Sequence, residues 1–251
     1  MNGTLYLVPA PLDFGCDSTS GLEVALPAHT LRTAATLRHW ICENAKTTRA
    51  YLKRIDALHP LCEALQAMAI TELPREVHKK GDHQGGFDAR PLLQAALEGQ
   101  DVGLVSEAGM PAIADPGSSV VRAAHLLGIR VVPLVGPVSL MLTLAASGLN
   151  GQNFAFVGYL PAQNPERAQR IAELENLAQK TGQTQLFIET PYRNAALLDA
   201  LLQGLRPATV LATASGLTLD DASVRSASVK DWRQRAWKIA QNVPTVFAIG
   251  R

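Results

Sequence analysis

Three cysteines in 251 residues, Cys16, Cys42 and Cys62, are odd in number and lack CxxC spacing. They read as reduced thiols, which excludes a disulfide framework and a cysteine-based zinc site. The six histidines lack metal-ligand spacing as well, so no metal is implied. Neither sign of charge is in excess: 23 Lys and Arg stand against 22 Asp and Glu, a formal net charge of +1, so the chain as a whole makes no electrostatic demand for a polyanion. No stretch reaches the roughly 18 unbroken apolar residues of a membrane span. The first residues lack a basic segment and their apolar run is broken by Pro9 and Pro11, so no signal peptide and a soluble, cytoplasmic chain are expected. The GxxxxGK[ST] and GxGxxG fingerprints are missing too, so a nucleotide phosphate is not the favoured ligand.

What is present is an alternation of short apolar runs with helix-like segments, in a chain that is 47% hydrophobic and 18% charged. That order is expected of a parallel sheet covered by helices. Strands are predicted at 5–8 and 102–105, with a weaker one at 37–41, and 64–70 is ambiguous between helix and strand. A helix is predicted over 44–54 with Asn44 as its cap, another over 88–97 closed by Gly99. Asp115 followed by Pro116 predicts the start of a helix that buries Val120, Val121, Ala124 and Leu127 and stops at Gly128. A strand at 129–134 and a small-residue helix from 136–139 to about Gly148 follow. The pattern then restarts with a strand at 154–159 and a helix over 164–180 whose apolar face is Ala168, Ile171, Leu174 and Leu177. Further strands are predicted at 184–188, 209–213, 223–228 and 245–249, with a helix over 194–203. The reading is an α/β protein of two domains, a parallel-sheet N-terminal domain over 1–136 and a mixed-sheet α+β C-terminal domain over 137–251. The polar residues 81–86 read as a loop.

In a parallel sheet, ligands bind where loops converge at the carboxyl ends of strands and helix N-termini present free N–H groups. Three such loops stand out, at 9–15, 106–117 and 136–139. They offer close backbone approach, amide donors and the apolar side chains of Met110 and Ile113. This suits a neutral adenosyl group with a zwitterionic tail.

The run 103–117, GLVSEAGMPAIADPG, resembles the signature loop of the tetrapyrrole-methylase-like superfamily, in the branch that methylates a ribose 2′-hydroxyl of small-subunit ribosomal RNA. LYLVPAP at 5–11, VVPLVGP at 131–137, FVGYLP at 156–161 and ETPYR at 189–193 follow in that family's order. The resemblance implies two α/β domains, S-adenosylmethionine as cofactor in the cleft between them, and commonly a homodimer. It implies that Pro9 lies beside the cofactor and that Ser106, Glu107, Ala108, Gly109, Met110, Pro111 and Ile113 wrap its ribose and methionine portions. Val138, Ser139, Glu189, Thr190, Ala214, Pro244 and Thr245 would complete the pocket.

The chain departs from the ribosomal branch mainly on the substrate side. Glu107 and Met110 stand where that branch usually has Asp and Thr, 43–49 reads ENAKTTR in place of an acidic-Asp-Thr-Arg segment, 213–218 reads TASGLT in place of Arg-Glu-Leu-Thr-Lys, and 13–17 reads DFGCD in place of Gly-Asn-Leu-Gly-Asp. Substrate-side candidates are Glu43, Asn44, Lys46, Arg49 and His78. Lys46, Arg49, Lys53 and Arg54 form a helical basic stripe able to meet phosphates, to which His78, Lys79, Lys80 and His83 would add. A proton acceptor for a hydroxyl would come from Glu43, Glu107 or His78, with none assigned. RNA is the favoured substrate; a tetrapyrrole or other small-molecule acceptor and a non-catalytic cofactor-binding protein are the alternatives.

Overall fold

The structure, a computed structural model, describes residues 1–80, 82, 86–240 and 242–251. The chain divides into two compact units, one of residues 1–14 and 20–138, the other of residues 15–19 and 139–251.

The first unit runs β1 (Thr4–Leu7), α1 (Leu22–Ala25), α2 (Ala28–Ala35), β2 (His39–Cys42), α3 (Ala45–Asp56), β3 (Ala69–Glu72), α4 (Arg75–Lys80), a 3-10 turn (Arg90–Leu93), α5 (Gln94–Leu97), β4 (Val102–Val105), α6 (Ser118–Leu126) and β5 (Arg130–Pro133). Its five strands are parallel in the order β3-β2-β4-β1-β5. Alternating side chains sort onto two cores. Trp40, Cys42 and Val105 join Leu31 and Leu52 of α2 and α3 on one face, while Ile41, Val102 and Leu104 join Val120 and Ala124 of α6 on the other. Covering both faces makes the central strands apolar throughout, hence the unbroken VGLV of β4, which is buried at every position. Gly103 leaves space that Trp40 fills, since a Cβ there would lie 2.7 Å from the indole.

Asn44 caps α3 as expected, its side chain accepting hydrogen bonds from the backbone N–H groups of Lys46 and Thr47. The expected start of α6 is corrected. The helix begins at Ser118, and Asp82, not Asp115, satisfies its first donors. The buried Asp82 carboxylate accepts from Gly117 N (2.9 Å), Ser119 N (2.7 Å), Ser118 Oγ (2.7 Å) and Ser119 Oγ (2.6 Å). Burial alone would raise its pKa, but these bonds outweigh burial and hold the carboxyl below its ordinary value. The stabilisation is therefore present above the ordinary carboxylate pKa and is lost as pH falls through the depressed folded-state value. Asp82→Ala is expected to cost about 2 kcal/mol at neutral pH and much less in acid, checked by urea unfolding at several pH values.

The second unit runs α7 (Ser139–Ser147), β6 (Phe154–Tyr159), α8 (Glu166–Thr181), β7 (Thr184–Glu189), a 3-10 turn (Pro191–Arg193), α9 (Asn194–Gly204), β8 (Val210–Ser215), β9 (Ser223–Ser228), α10 (Val229–Arg235) and β10 (Thr245–Gly250). Its sheet has the order β6-β7-β10-β8-β9, with β6 and β7 parallel and the other pairs antiparallel. The expected fold class, a parallel-sheet unit followed by a mixed-sheet unit, is borne out.

Phe187 and Phe247 face each other in register across β7 and β10, their rings stacked at 5.9 Å. Ile171 and Leu174 of α8 pack on them with Leu197, Leu201 and Trp232. The apolar face of α8 is rotated from expectation: Glu175 and Ala178 are buried with Ile171 and Leu174, while Leu177 is exposed. Glu175 turns inward because its carboxylate accepts from Arg206 N (2.7 Å) and from the Thr209 hydroxyl, tying the turn after α9 to α8.

Candidate active site

The strand order places the topological switch point of the first sheet between β1 and β4, whose onward connections leave in opposite directions. The loops leaving these two strands are stitched together. Val8 N donates to Leu104 O (2.8 Å), and Ala10 and Gly109 then exchange two backbone hydrogen bonds of 2.9 and 3.0 Å. Gly109 has φ +66, and a Cβ there would meet Leu12 at 3.1 Å and Pro137 O at 3.3 Å. Pro9 is buried, and its carbonyl accepts from the Tyr51 hydroxyl of α3 at 2.8 Å. Gly136 packs on it so closely that an added Cβ would lie 2.2 Å from Pro9 Cγ. Three expected loops thus meet at one point: residues 9–11, 106–113 and 136–138.

Two cavities with no lining residue in common open beside this junction. One, of about 150 Å³, is bounded by Pro11, Asp13, Thr47, Tyr51, Ser106 and Glu107. The other, of about 740 Å³, is largely apolar and bounded by Leu7, Met110, Ile113, Val121, Leu126 and Val138 among others. At the first, Ser106 Oγ is buried with no hydrogen-bond partner among the described residues, so a polar ligand atom in this cavity would satisfy it. Arg54 is held by Asp13 at 2.9 Å and is half-buried, so it leaves the expected basic stripe, whereas Lys46, Arg49 and Lys53 are exposed on α3.

Glu43 and Glu107 come together: Glu43 accepts from Glu107 N (3.3 Å), and Glu107 accepts from the Thr47 hydroxyl (3.2 Å). Asp115 completes a trio that sequence reasoning missed. Burial, then the charges of Glu43 and Glu107, push its pKa up to about 7. Only the burial of a loop aspartate beside two glutamates produces this shift, and neither is visible in a sequence. Asn44 is spent on capping α3. The His78 side chain and His83 lie outside the described residues.

The candidates of the second unit gather at one end of its sheet. Thr245 opens β10 opposite Glu189 of β7 on one side and Ser215 of β8 on the other. Glu189 is buried and tied to Arg193 at 2.7 Å, Thr190 N donates to it at 2.7 Å, and the hydroxyls of Thr245 and Ser215 lie 2.8 Å apart. Ala214 is buried beside Ser215, and Pro244 O accepts from Gly216 N. Arg193 and Ser215 were not among the expected site residues; Arg193 lies four residues after Glu189, within one helical turn of it. Ser139 is the first residue of α7, directly after Val138. Among the described residues there is no group able to hold a metal ion, and no helix is long and apolar enough to cross a membrane.

Fold and crevice define a class: two α/β units, with a glycine-shaped loop junction at the switch point of the parallel sheet. The sequence model described as Tetrapyrrole (Corrin/Porphyrin) Methylases matches residues 28–232, and the chain belongs to that family. It is similar to a protein of Mesorhizobium japonicum named Ribosomal RNA small subunit methyltransferase I, 31% identical over 227 residues, which cover 90% of this chain and 67% of that one. A protein of the same name from Halalkalibacterium halodurans is 32% identical over 200 residues, 80% of this chain and 60% of that one. The crystal structure of the methyltransferase CobJ is similar in fold, with a TM-score of 0.59 at 15% identity, covering 99% of this chain and 94% of that one. The chain spans 40% to 67% of the length of curated relatives carrying the ribosomal name.

Proposed function

We propose that this chain is an S-adenosylmethionine-dependent methyltransferase whose acceptor is RNA, a ribose 2′-hydroxyl of small-subunit ribosomal RNA, and that it works in the cytoplasm as a homodimer. The observation that carries the cofactor reading is the hydrogen-bonded junction of residues 9–11 and 106–113 at the switch point, with an unsatisfied Ser106 hydroxyl beside it. The residues present fit the cofactor. Gly109 lets the loops close on one another, Met110 and Ile113 give apolar cover, and the Glu43 and Glu107 carboxylates suit a ligand that carries sulfonium and ammonium cations. S-adenosylmethionine supplies an electrophilic methyl group; the chain's own part is to hold the acceptor oxygen in line and to take its proton. Asp115 takes that proton, because a carboxylate titrating near neutrality is basic enough to accept it and still ionised at working pH. In the second unit, Glu189, Thr190, Ala214, Pro244 and Thr245 are assigned to the cofactor too, with Arg193 fixing Glu189.

RNA is favoured over a small acceptor by the names of the curated relatives and by the exposed Lys46, Arg49 and Lys53 of α3. Transfer of labelled methyl from S-adenosylmethionine into small-subunit ribosomal RNA or particles from cells lacking the protein tests this. Label appearing instead in an RNA-free metabolite fraction would favour a tetrapyrrole or another small acceptor, a reading that the family's description keeps in play. Tight cofactor binding without label in any fraction would mark a non-catalytic protein. Sedimentation at twice the chain mass tests the homodimer.

A further inference from the structure

The charge of the chain is unevenly spread. Residues 225–238 carry Arg225, Lys230, Arg233, Arg235 and Lys238 against a single carboxylate, Asp231. That is net +4 in a chain whose total is +1, so the remainder is net negative.

The fold gathers three of these cations, Arg225, Arg235 and Lys238, around one indole of the second unit. β9 is an edge strand, so its outer side has no neighbouring strand. α10 follows it directly, and Ala236, in the left-handed region at φ 47, turns the chain back after the helix. Trp237 thereby packs edge-on against the buried Trp232, with ring centroids 5.3 Å apart. Arg225 of β9 lies over the Trp237 ring at 4.5 Å, and Arg235 lies over the same ring at 5.0 Å. Arg225 also donates to Lys238 O at 3.5 Å. One half-buried indole thus orders two guanidinium groups, and Arg235 and Lys238, the residues on either side of the Ala236–Trp237 turn, are exposed. Arg233 is committed elsewhere, donating to the carbonyls of Leu202 and Leu205 at the end of α9, and Asp231 is committed to Ser228 at 2.6 Å.

We propose that the surface of β9, α10 and residues 236–238 binds the sugar-phosphate backbone of RNA, with Arg225, Arg235 and Lys238 meeting phosphates. The planar, pre-ordered guanidinium groups suit phosphate oxygens and lose little freedom on binding. A membrane surface fits less well. The apolar residues of α10, Val229 and Trp232, are fully buried, and no large apolar side chain between 225 and 238 is exposed to insert into lipid. The proposal rests on the reading that RNA is the substrate and adds a contact surface distinct from the switch-point crevice.

The test compares the parent with R235Q/K238Q, two exposed positions, and with the charge-conserving R235K/K238R. Binding to a labelled single-stranded oligoribonucleotide of small-subunit ribosomal RNA sequence is measured over a range of salt concentrations. Each phosphate contact contributes about 0.7 to the slope of log affinity against log salt, so losing two should flatten the slope by about 1.4 and weaken binding about tenfold at moderate salt. S-adenosylmethionine affinity should not change, and R235K/K238R, which keeps both charges, should keep the parent's salt slope. An unchanged affinity and slope in R235Q/K238Q, with the parent methylating RNA, overturns this surface alone. Loss of binding to phosphatidylserine vesicles without loss of RNA binding also overturns it. A parent that neither binds nor methylates RNA, yet methylates an RNA-free acceptor, overturns the substrate reading beneath it.

Discussion

Gly136→Val should abolish S-adenosylmethionine binding, weakening it at least about 100-fold, while leaving the chain folded. Even the first added carbon would lie 2.2 Å from Pro9 Cγ and 2.5 Å from Pro9 Cβ, both in a rigid ring that cannot swing aside. The 136–138 loop or the 9–11 loop must therefore move. Residues 9–11 cannot move alone, because Tyr51 holds Pro9 O and the two Ala10–Gly109 bonds tie them to the loop after β4. One side chain thus disturbs all three loops assigned to the cofactor. Isothermal titration with S-adenosylmethionine reads the effect, and circular dichroism separates it from unfolding. Binding at parental strength would mean that the cofactor does not use this junction.

Asp115→Asn is expected to lower methyl transfer about 100-fold at pH 8 with little change in cofactor affinity. The sign of its pH dependence follows from the raised pKa. Asp115 is protonated below about pH 7 and ionised above it, so the parent's rate should climb through that pH and the variant should lack the climb. Removing a neighbouring charge with Glu43→Gln should lower the Asp115 pKa and move the ascending limb to more acidic pH. Stability should run the other way. Between the ordinary carboxylate pKa and about 7 the folded state holds a proton that the unfolded state has lost, so the parent loses stability as pH rises through that window. Asp115→Asn should therefore be close to neutral below about pH 4 and more stable than the parent at pH 8 by about 2 kcal/mol, after discounting for solvent screening of a partly exposed group. A rate profile unaltered by Asp115→Asn would remove it as proton acceptor.

Much of the architecture was legible because compact apolar runs bounded by turn residues have few alternatives. The strand bounds read at 102–105, 154–159 and 223–228 are those of β4, β6 and β9. The motifs proposed to hold the cofactor stand out in the sequence because each occupies contiguous residues at or after a strand. What was hidden depends on partners distant in sequence. Asp82 reaches Gly117 across 35 positions, so nothing local to Asp115 and Pro116 betrays that the cap comes from elsewhere. Tyr51 reaches Pro9 across 42 positions. Glu43, Glu107 and Asp115 look like unrelated surface acids until the switch point brings them together. The expected basic stripe on α3 lost Arg54 to Asp13 for the same reason, because a helical period does not reveal which cation has a buried partner. The cations of residues 225–238 can be counted in the sequence, but nothing local reveals that Arg225 and Arg235 meet on the one indole that follows the left-handed turn at Ala236.

The most direct test of the account is a calorimetric titration of the purified chain with S-adenosylmethionine and with its demethylated product. Saturable binding of both at one site per chain, lost in Gly136→Val, is the predicted result. Absence of binding by either ligand to the folded parent would contradict the cofactor reading and, with it, the assignment of this chain as a methyltransferase.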